Sequence, residues 1–186
     1  MGVFAWVVLA WFSQSPAAGA ADEPVEPTLQ NVELDRDDEG IYVSLRVQDG
    51  LTPAVREQLR AGVPVAFQYT VKVCRHRRLW FPETVVSRHV ETRAKLDVLS
   101  REYHLSRSMD GHVLDARDTQ NATDAVDHLS RLARVKIAPE TVLDRTLPYQ
   151  FLARAKVQDA FVLYVIPWAV ETPWYRQTLE APAGHH

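Results

Sequence analysis

The chain has 186 residues, of which 46% are hydrophobic and 24% are charged, and its formal net charge is -3. A chain of this length and composition suits one globular domain with its own core, and it excludes a collagen-like, repetitive or wholly disordered protein. The charge is unevenly placed, because residues 22–40 contain eight acids and one arginine, whereas residues 72–107 contain nine Lys or Arg and four acids. This asymmetry is either self-complementary within the fold or available to an anionic partner.

The first twenty residues, MGVFAWVVLAWFSQSPAAGA, are typical of an export signal. An apolar run over residues 3–12 is followed by a polar break and by small residues at 18–20, although no Lys or Arg precedes the run. The run is also too short to cross a bilayer, which takes roughly 20 residues. We therefore predict a signal peptide over residues 1–20, cleavage near Ala20/Ala21, and a periplasmic or secreted mature protein. An uncleaved N-terminal segment would be its only means of membrane association.

An acidic linker is expected to follow the signal. Residues 21–27 contain three acids and two prolines, which is typical of an extended connection. We predict a single β-sandwich domain over residues 28–181 and a short tail over residues 182–186.

The first part of the domain predicts a hairpin and a helix. LQNVELD and IYVSLRV alternate in polarity on either side of the turn RDDEG, in which Gly40 is expected to take a positive φ angle. Thr52 as N-cap, Pro53 at the first helical position and Gly62 just past the end predict a helix of about ten residues.

The strongest strand signal lies in the middle of the chain. Every second residue from Val63 to Val73 is either aliphatic or aromatic, and a second stretch of alternating polarity covers residues 86–98. We predict a long antiparallel hairpin with one face in the core and the other in water. One register of this hairpin would place Cys74 opposite His89 and Lys72 opposite Glu91.

The segment from residue 101 to residue 134 changes from the two-residue period of a strand to the 3.6-residue period of a helix. REYHLSR predicts a strand with Tyr103 and Leu105 inward. NATDAVDHLSRLAR predicts a helix with Asn121 and Asp124 as a capping pair. Its apolar face is expected to contain Ala122, Ala125, Val126, Leu129, Leu132 and Ala133.

The chain closes with a short helical turn in APETVLD and with strands in YQFLARAKV, AFVLYVIPWAV and WYRQTLE. The apolar run 161–170 is too short to span a membrane and is expected to be a strand buried on both faces. The predicted fold is mainly β (α+β), an antiparallel β-sandwich of about seven or eight strands with two or three short helices.

The stretch CRHRRLWFPE, residues 74–83, is the most conspicuous candidate site. Inward parity holds through Val73 and fails at Arg75, so the strand is expected to leave the core there and to expose its arginines beside an aromatic pair. It is either a structural strand end or a contact surface for a protein or an anionic envelope component, and an exported protein is not expected to bind nucleic acid. The candidate interaction surface comprises Arg75, Arg77, Arg78, Trp80, Phe81, Arg101 and Tyr103.

Motifs that carry chemistry are not found in the sequence. Cys74, His76 and His89 could supply metal ligands, but they lack the spacing of a zinc site, and one cysteine cannot form an internal disulfide. Neither Gly-x-Ser-x-Gly nor a glycine-rich phosphate loop occurs. We therefore expect no catalytic residue, metal or cofactor, and a protein that is not an enzyme. A hydrolase with convergent polar groups in a deep cleft is the alternative.

An ordered set of short motifs resembles a known bacterial family. LRAGVPVAFQYTVKVCRHRRLWF, LSREYHLS, AVDHLSRL and DRTLPYQ occur in the order found in the family called domain of unknown function 4390, over about residues 28–180. The matching positions are Gly62, Pro64, Arg75, Arg77 or Arg78, Trp80, Phe81, Ser100, Arg101, Tyr103, Leu147 and Pro148. The resemblance implies an exported envelope protein, often encoded beside a membrane sensor kinase of the nitrogen-regulation type. It implies no activity and no catalytic residue.

Together these observations predict an exported, non-enzymatic envelope accessory or protein-interaction factor with a protein partner in the cell envelope. The alternative is a small-ligand or lipid-binding module in which Trp168, Trp174 and Tyr175 line an apolar cavity.

Overall fold

The computed structural model describes residues 26–75, 82–144, 147–158 and 169–179. In these ranges ten strands form two antiparallel sheets, together with two α-helices and one 3₁₀ turn, which confirms the predicted mainly-β, sandwich-like fold. The strands are β1 (Thr28–Arg36), β2 (Ile41–Gln48), β3 (Val65–Arg75), β4 (Glu83–Asp97), β5 (Glu102–Met109), β6 (His112–Thr119), β7 (Arg131–Ala138), β8 (Tyr149–Gln158), β9 (Ala169–Glu171) and β10 (Tyr175–Leu179). The helices are α1 (Pro53–Arg60) and α2 (Ala122–Ser130), and the 3₁₀ turn is Glu140–Val142.

The two sheets differ in size and enclose one core. The small sheet has the order β1-β2-β7, and the large sheet has the order β10-β8-β3-β4-β5-β6, with β9 added beside β8. The core consists of alternate residues from the inner faces of both sheets. Its fully buried members include Val43, Leu132, Phe67, Tyr69 and Phe151. Burial of each large apolar side chain contributes about 1.5–3 kcal/mol, so this shared core holds the sheets together.

The hairpin of β1 and β2 forms as predicted, but its turn uses a different device. Gly40 does not have a positive φ angle; instead the Asp37 carboxylate accepts hydrogen bonds from the N–H groups of Glu39 and Gly40, each at 2.9 Å. A Cβ atom at position 40 would lie 2.7 Å from the carbonyl oxygen of Ala138. Glycine is therefore needed for the close approach of β7 and not for a left-handed backbone.

Helix α1 begins and ends as the sequence predicts. The hydroxyl of Thr52 accepts a hydrogen bond from the N–H of Val55 at 3.3 Å, and Gly62 follows the helix with a φ angle of 78°. Val55 and Leu59 are buried, so this edge of the helix packs onto β3 and β4.

The central strands β3 and β4 show the predicted alternation in a different register. The odd positions from Val65 to Val73 are fully buried. Cys74 lies opposite Thr84 and Lys72 lies opposite Ser87, so the predicted pairing of Cys74 with His89 is wrong. Sliding β4 along β3 by an even number of residues keeps the apolar side chains of both strands on the inner face, so alternation alone does not select the register. In the observed register the pairing continues to the last residue of β3, Arg75, which lies opposite Glu83.

Strand β6 was not predicted. It forms a hairpin with β5 through a two-residue turn, in which Asp110 and Gly111 have φ angles of 49° and 86°. Positive φ angles at both central residues match the type I′ turn that favours Asp-Gly. The Asp-Gly dipeptide was the signal for this hairpin, but β6 lacks a buried row and therefore shows no useful alternation.

Helix α2 ends earlier than predicted. The side chain of Asn121 caps it by accepting a hydrogen bond from the N–H of Thr123 at 2.8 Å, whereas Asp124 accepts from the Thr119 hydroxyl and does not complete the capping pair. Leu132 and Ala133, assigned to the apolar face of the helix, lie in β7. Pairing with β2 and burial of Leu132 outweigh helix propensity, which amounts to at most about 0.7 kcal/mol for an ordinary residue.

The closing strands β8 and β10 agree with the sequence prediction. Residues 161–168 of the apolar run lie outside the described residues. The last two positions of the run, 169 and 170, are described and belong to β9. Among the helices that the structure describes, none is long and apolar enough to cross a membrane.

Candidate functional site

The predicted Arg/Trp surface is only partly described. Arg77, Arg78, Trp80 and Phe81 lie outside the described residues. Arg75 is the last residue of β3, and its guanidinium forms an ion pair with the carboxylate of Glu83 across the hairpin. This residue therefore has a structural partner within the domain.

Arg101 lies in the turn between β4 and β5, at the opposite end of the large sheet from Arg75. Its N–H donates to the carbonyl oxygen of Asp97 at 2.8 Å, and the Asp97 carboxylate accepts from the N–H groups of Leu99 and Ser100, which lower its pKa. Strand β4 has 15 residues and joins the two ends, which places them roughly 45 Å apart. The two arginines cannot belong to one compact contact surface.

Tyr103 is predicted both as an inward residue and as part of the interaction surface. Its exposure is 9%, and it belongs to the hydrophobic core, as the inward assignment expects. Its part in an interaction surface stays a prediction.

The aromatic residues proposed to line a cavity point to different sides of the large sheet. The Trp174 ring lies on the outer face of the sheet. The centroid of this ring is 4.8 Å from the Arg154 guanidinium carbon and 5.5 Å from the Lys72 ammonium nitrogen. Tyr175 packs against the core instead. Trp168 lies outside the described residues, so the described pair does not line a common cavity.

In the described part of the chain, strand β6 forms one open edge of the large sheet. Among the described strands β6 pairs with β5 alone, and it is the end strand of the large sheet. Its first seven residues are exposed, including Val113 at 69% and Leu114 at 46%. The outer side of an end strand presents unpaired backbone N–H and C=O groups, which form a template for another strand.

A groove of about 720 Å³ lies between this edge and β7, the end strand of the small sheet. Its lining residues come from β4, the β5–β6 hairpin, β7 and the residue after it. They are Arg88, Arg107, Met109, Asp110, His112, Leu114, Asp115, Ala133, Arg134, Val135, Lys136, Ile137, Ala138 and Pro139.

Arg88 connects the two sheets in this groove. Its Nε donates to the carbonyl oxygen of Ile137 at 2.8 Å, and its Nη1 lies 3.3 Å from the Asp110 carboxylate. The same carboxylate accepts a hydrogen bond from the N–H of His89 at 2.9 Å. Arg88 therefore occupies an acceptor on β7 and links that strand to the turn between β5 and β6.

The charges on the groove face of β6 alternate in sign. Asp115 and Arg117 lie on the same face as the buried Leu105, because they pair with Arg107 and Leu105 of β5. Arg107 Nη1 is 3.2 Å from the Asp115 carboxylate. Within the described ranges Arg117 has no ion pair, so its charge is available to a partner.

His128 of α2 forms a hydrogen bond with β5, the strand that pairs with β6. Its Nε2 lies 2.9 Å from the carbonyl oxygen of Ser106, the residue that pairs with Ala116 of β6. Burial lowers the pKa of His128 below its usual value of 6.5, so the ring is neutral at pH 7 and Nε2–H donates to the carbonyl. Helix α2 thereby fixes the backbone of β5 behind β6.

The described residues were compared with the needs of a metal site and of a reactive cysteine. No group of three or more His, Cys, Asp or Glu side chains in these ranges is arranged to hold a metal ion. Cys74 is buried, and its Sγ lies 3.6 Å from the Thr84 hydroxyl, with no base in that contact.

A family model described as Domain of unknown function (DUF4390) matches residues 26–178. The chain belongs to the DUF4390 family. The match covers every strand of the domain except the last residue of β10. Comparison of this DUF4390 chain with curated proteins and with solved structures finds no match.

Proposed function

We propose that this DUF4390 chain is an exported, non-enzymatic domain of the cell envelope that binds a protein by strand addition at the open edge of β6. The observation that carries the proposal is the exposure of this edge beside a groove. In strand addition, main-chain hydrogen bonds supply affinity and alternate side chains supply specificity.

The length of β6 and the mixed signs of its charges favour this use of the edge. Natural end strands are commonly protected by charged side chains, above all lysine, by proline, by bulges or by very short length. β6 has eight residues without lysine or proline, and its charged residues, Asp115, Arg117 and Asp118, include both signs, which a partner strand can pair. Its bulge is confined to the segment opposite Arg107 and Ser108, near the turn, so the remaining strand is regular enough to pair.

The side chains on β6 define the partner strand. On the groove face it would place a cation opposite Asp115 and an anion opposite Arg117, because opposite charges stabilise directly opposed cross-strand pairs. The partner is therefore an extended segment in which charges of opposite sign alternate along one face.

Site-specific photo-crosslinking in the native host tests the proposal. A photoreactive amino acid at Ala116, in the middle of β6, is expected to give a discrete crosslinked protein product. The matched control carries the same amino acid at Leu99, which is 97% exposed in the β4–β5 turn, and is expected to give none. No product from position 116, or equal products from both positions, would contradict strand addition at β6.

Export is tested separately on the same protein. The proposal rests here on the apolar run 3–12 and the small residues 18–20, so protein recovered from the periplasm should begin near Ala21. N-terminal sequencing of the fractionated protein measures this. Full-length protein found in the cytosol would overturn the envelope location while leaving the binding edge untouched.

A further inference from the structure

We infer that the strand added to β6 is β6 of a second copy of this chain, arranged antiparallel about a two-fold axis at Ala116. The inference rests on the proposed function and names its partner. The observation that carries the inference is the order of charges along β6. Asp115 and Arg117 precede and follow Ala116 in the strand, and both point to the inner face of the sheet.

The charges select one register among those available. In an antiparallel pair, directly opposed residues point to the same face of the sheet. An axis at Asp115 would oppose two carboxylates, and an axis at Arg117 would oppose two guanidinium groups. An axis at Ala116 places Asp115 of each copy opposite Arg117 of the other, so both charged pairs are complementary.

The residue on the axis is also suitable. Ala116 lies on the outer face of the large sheet, since it pairs with Ser106 while its neighbour Arg117 pairs with the buried Leu105. Its side chain is small and exposed, so two copies meet without a clash. The contact is isologous and closed, because each copy uses the same strand and no further edge of β6 remains.

Arg117 is the residue on which the register depends. Within the described ranges it has no ion pair, in contrast to Asp115, which is bound to Arg107. The second copy would supply a carboxylate to Arg117 and a second cation to Asp115. The pairing would also continue the large sheet of one copy directly into that of the other.

Cysteine pairing tests the register directly. Directly opposed residues have Cβ atoms about 4.5–5.5 Å apart, close to the separation in a disulfide. Ala116→Cys is therefore expected to form a disulfide-linked dimer under oxidising conditions. Asp118→Cys, on the same face, is the control, because two copies of residue 118 would be about 14 Å apart along the strands. Wild-type protein controls for Cys74, which is buried.

A charge reversal tests the same interface without cysteine. In size-exclusion chromatography with light scattering, the full mature chain is expected to show a dimer. Arg117→Asp should weaken that dimer by about tenfold or more, since two attractive pairs become repulsive. Arg60→Asp carries the same charge change on the exposed surface of α1 and should leave the dimer unchanged.

The outcomes separate the inference from the proposed function. A dimer that Arg117→Asp weakens, with a disulfide at position 116 and not at 118, supports the inference. Photo-crosslinking from position 116 to a different protein, with no disulfide dimer, overturns the second copy as partner and retains strand addition. Absence of both products overturns the inference and the proposed function together.

Discussion

Replacement of Leu129 by alanine is expected to lower the free energy of unfolding by about 2–5 kcal/mol, the range for buried large-to-small changes. Leu129 is fully buried on α2 and belongs to the core between the sheets. The loss combines the transfer free energy of the removed atoms with the cavity left behind. Chemical denaturation followed by circular dichroism measures it.

Leu99 provides the matched control for this change. It is 97% exposed in the turn between β4 and β5, so Leu99→Ala removes the same atoms without removing a core contact. Its effect should stay within about 0.5 kcal/mol, as for most surface substitutions. Similar losses for both variants would mean that α2 is not packed as described.

Removal of both hydroxyl groups that bind the end of α2 is expected to destabilise the domain by more than the sum of the two single changes. The carbonyl oxygen of Leu129 accepts hydrogen bonds from the Tyr69 hydroxyl at 2.5 Å and from the Thr92 hydroxyl at 2.9 Å. It lies at the helix end, where intrahelical donors are missing. Both hydroxyl donors are buried, so water does not replace them readily.

A double-mutant cycle measures this coupling. Tyr69→Phe and Thr92→Val should each cost about 0.5–1.5 kcal/mol, because one donor remains for the carbonyl oxygen. The double variant should cost about 3 kcal/mol or more, since a buried acceptor without any donor adds about 1–3 kcal/mol. Strict additivity would show that the two hydroxyl groups do not share this acceptor.

The β6 edge, which we propose as the binding surface, lacks the periodic signal that identifies a strand from sequence. Hydrophobic periodicity identifies a strand when one row of side chains is buried, but the first seven residues of β6 are all exposed. The described arginines of the predicted surface are also separated by the tertiary structure. Arg75 and Arg101 both follow apolar alternation, yet the direction of the chain through β4 sends them to opposite ends of the sheet.

The sequence alone determined the elements whose signals are local. Thr52 and Pro53 begin α1 because capping and the proline φ angle act within one turn, and the buried row of β3 follows from strict alternation. These features set the mainly-β class, and the order of motifs indicated the family.

Only the tertiary structure decided which strands are neighbours and what their edges expose. The register of β3 and β4, the early end of α2 and the groove between β6 and β7 depend on contacts between residues distant in sequence. Residues 131–138 form a strand because β2 offers hydrogen bonds and a buried place for Leu132, which outweigh a small helix propensity. The open edge of β6 exists because the sheet order ends there, and no local pattern of residues encodes the end of a sheet.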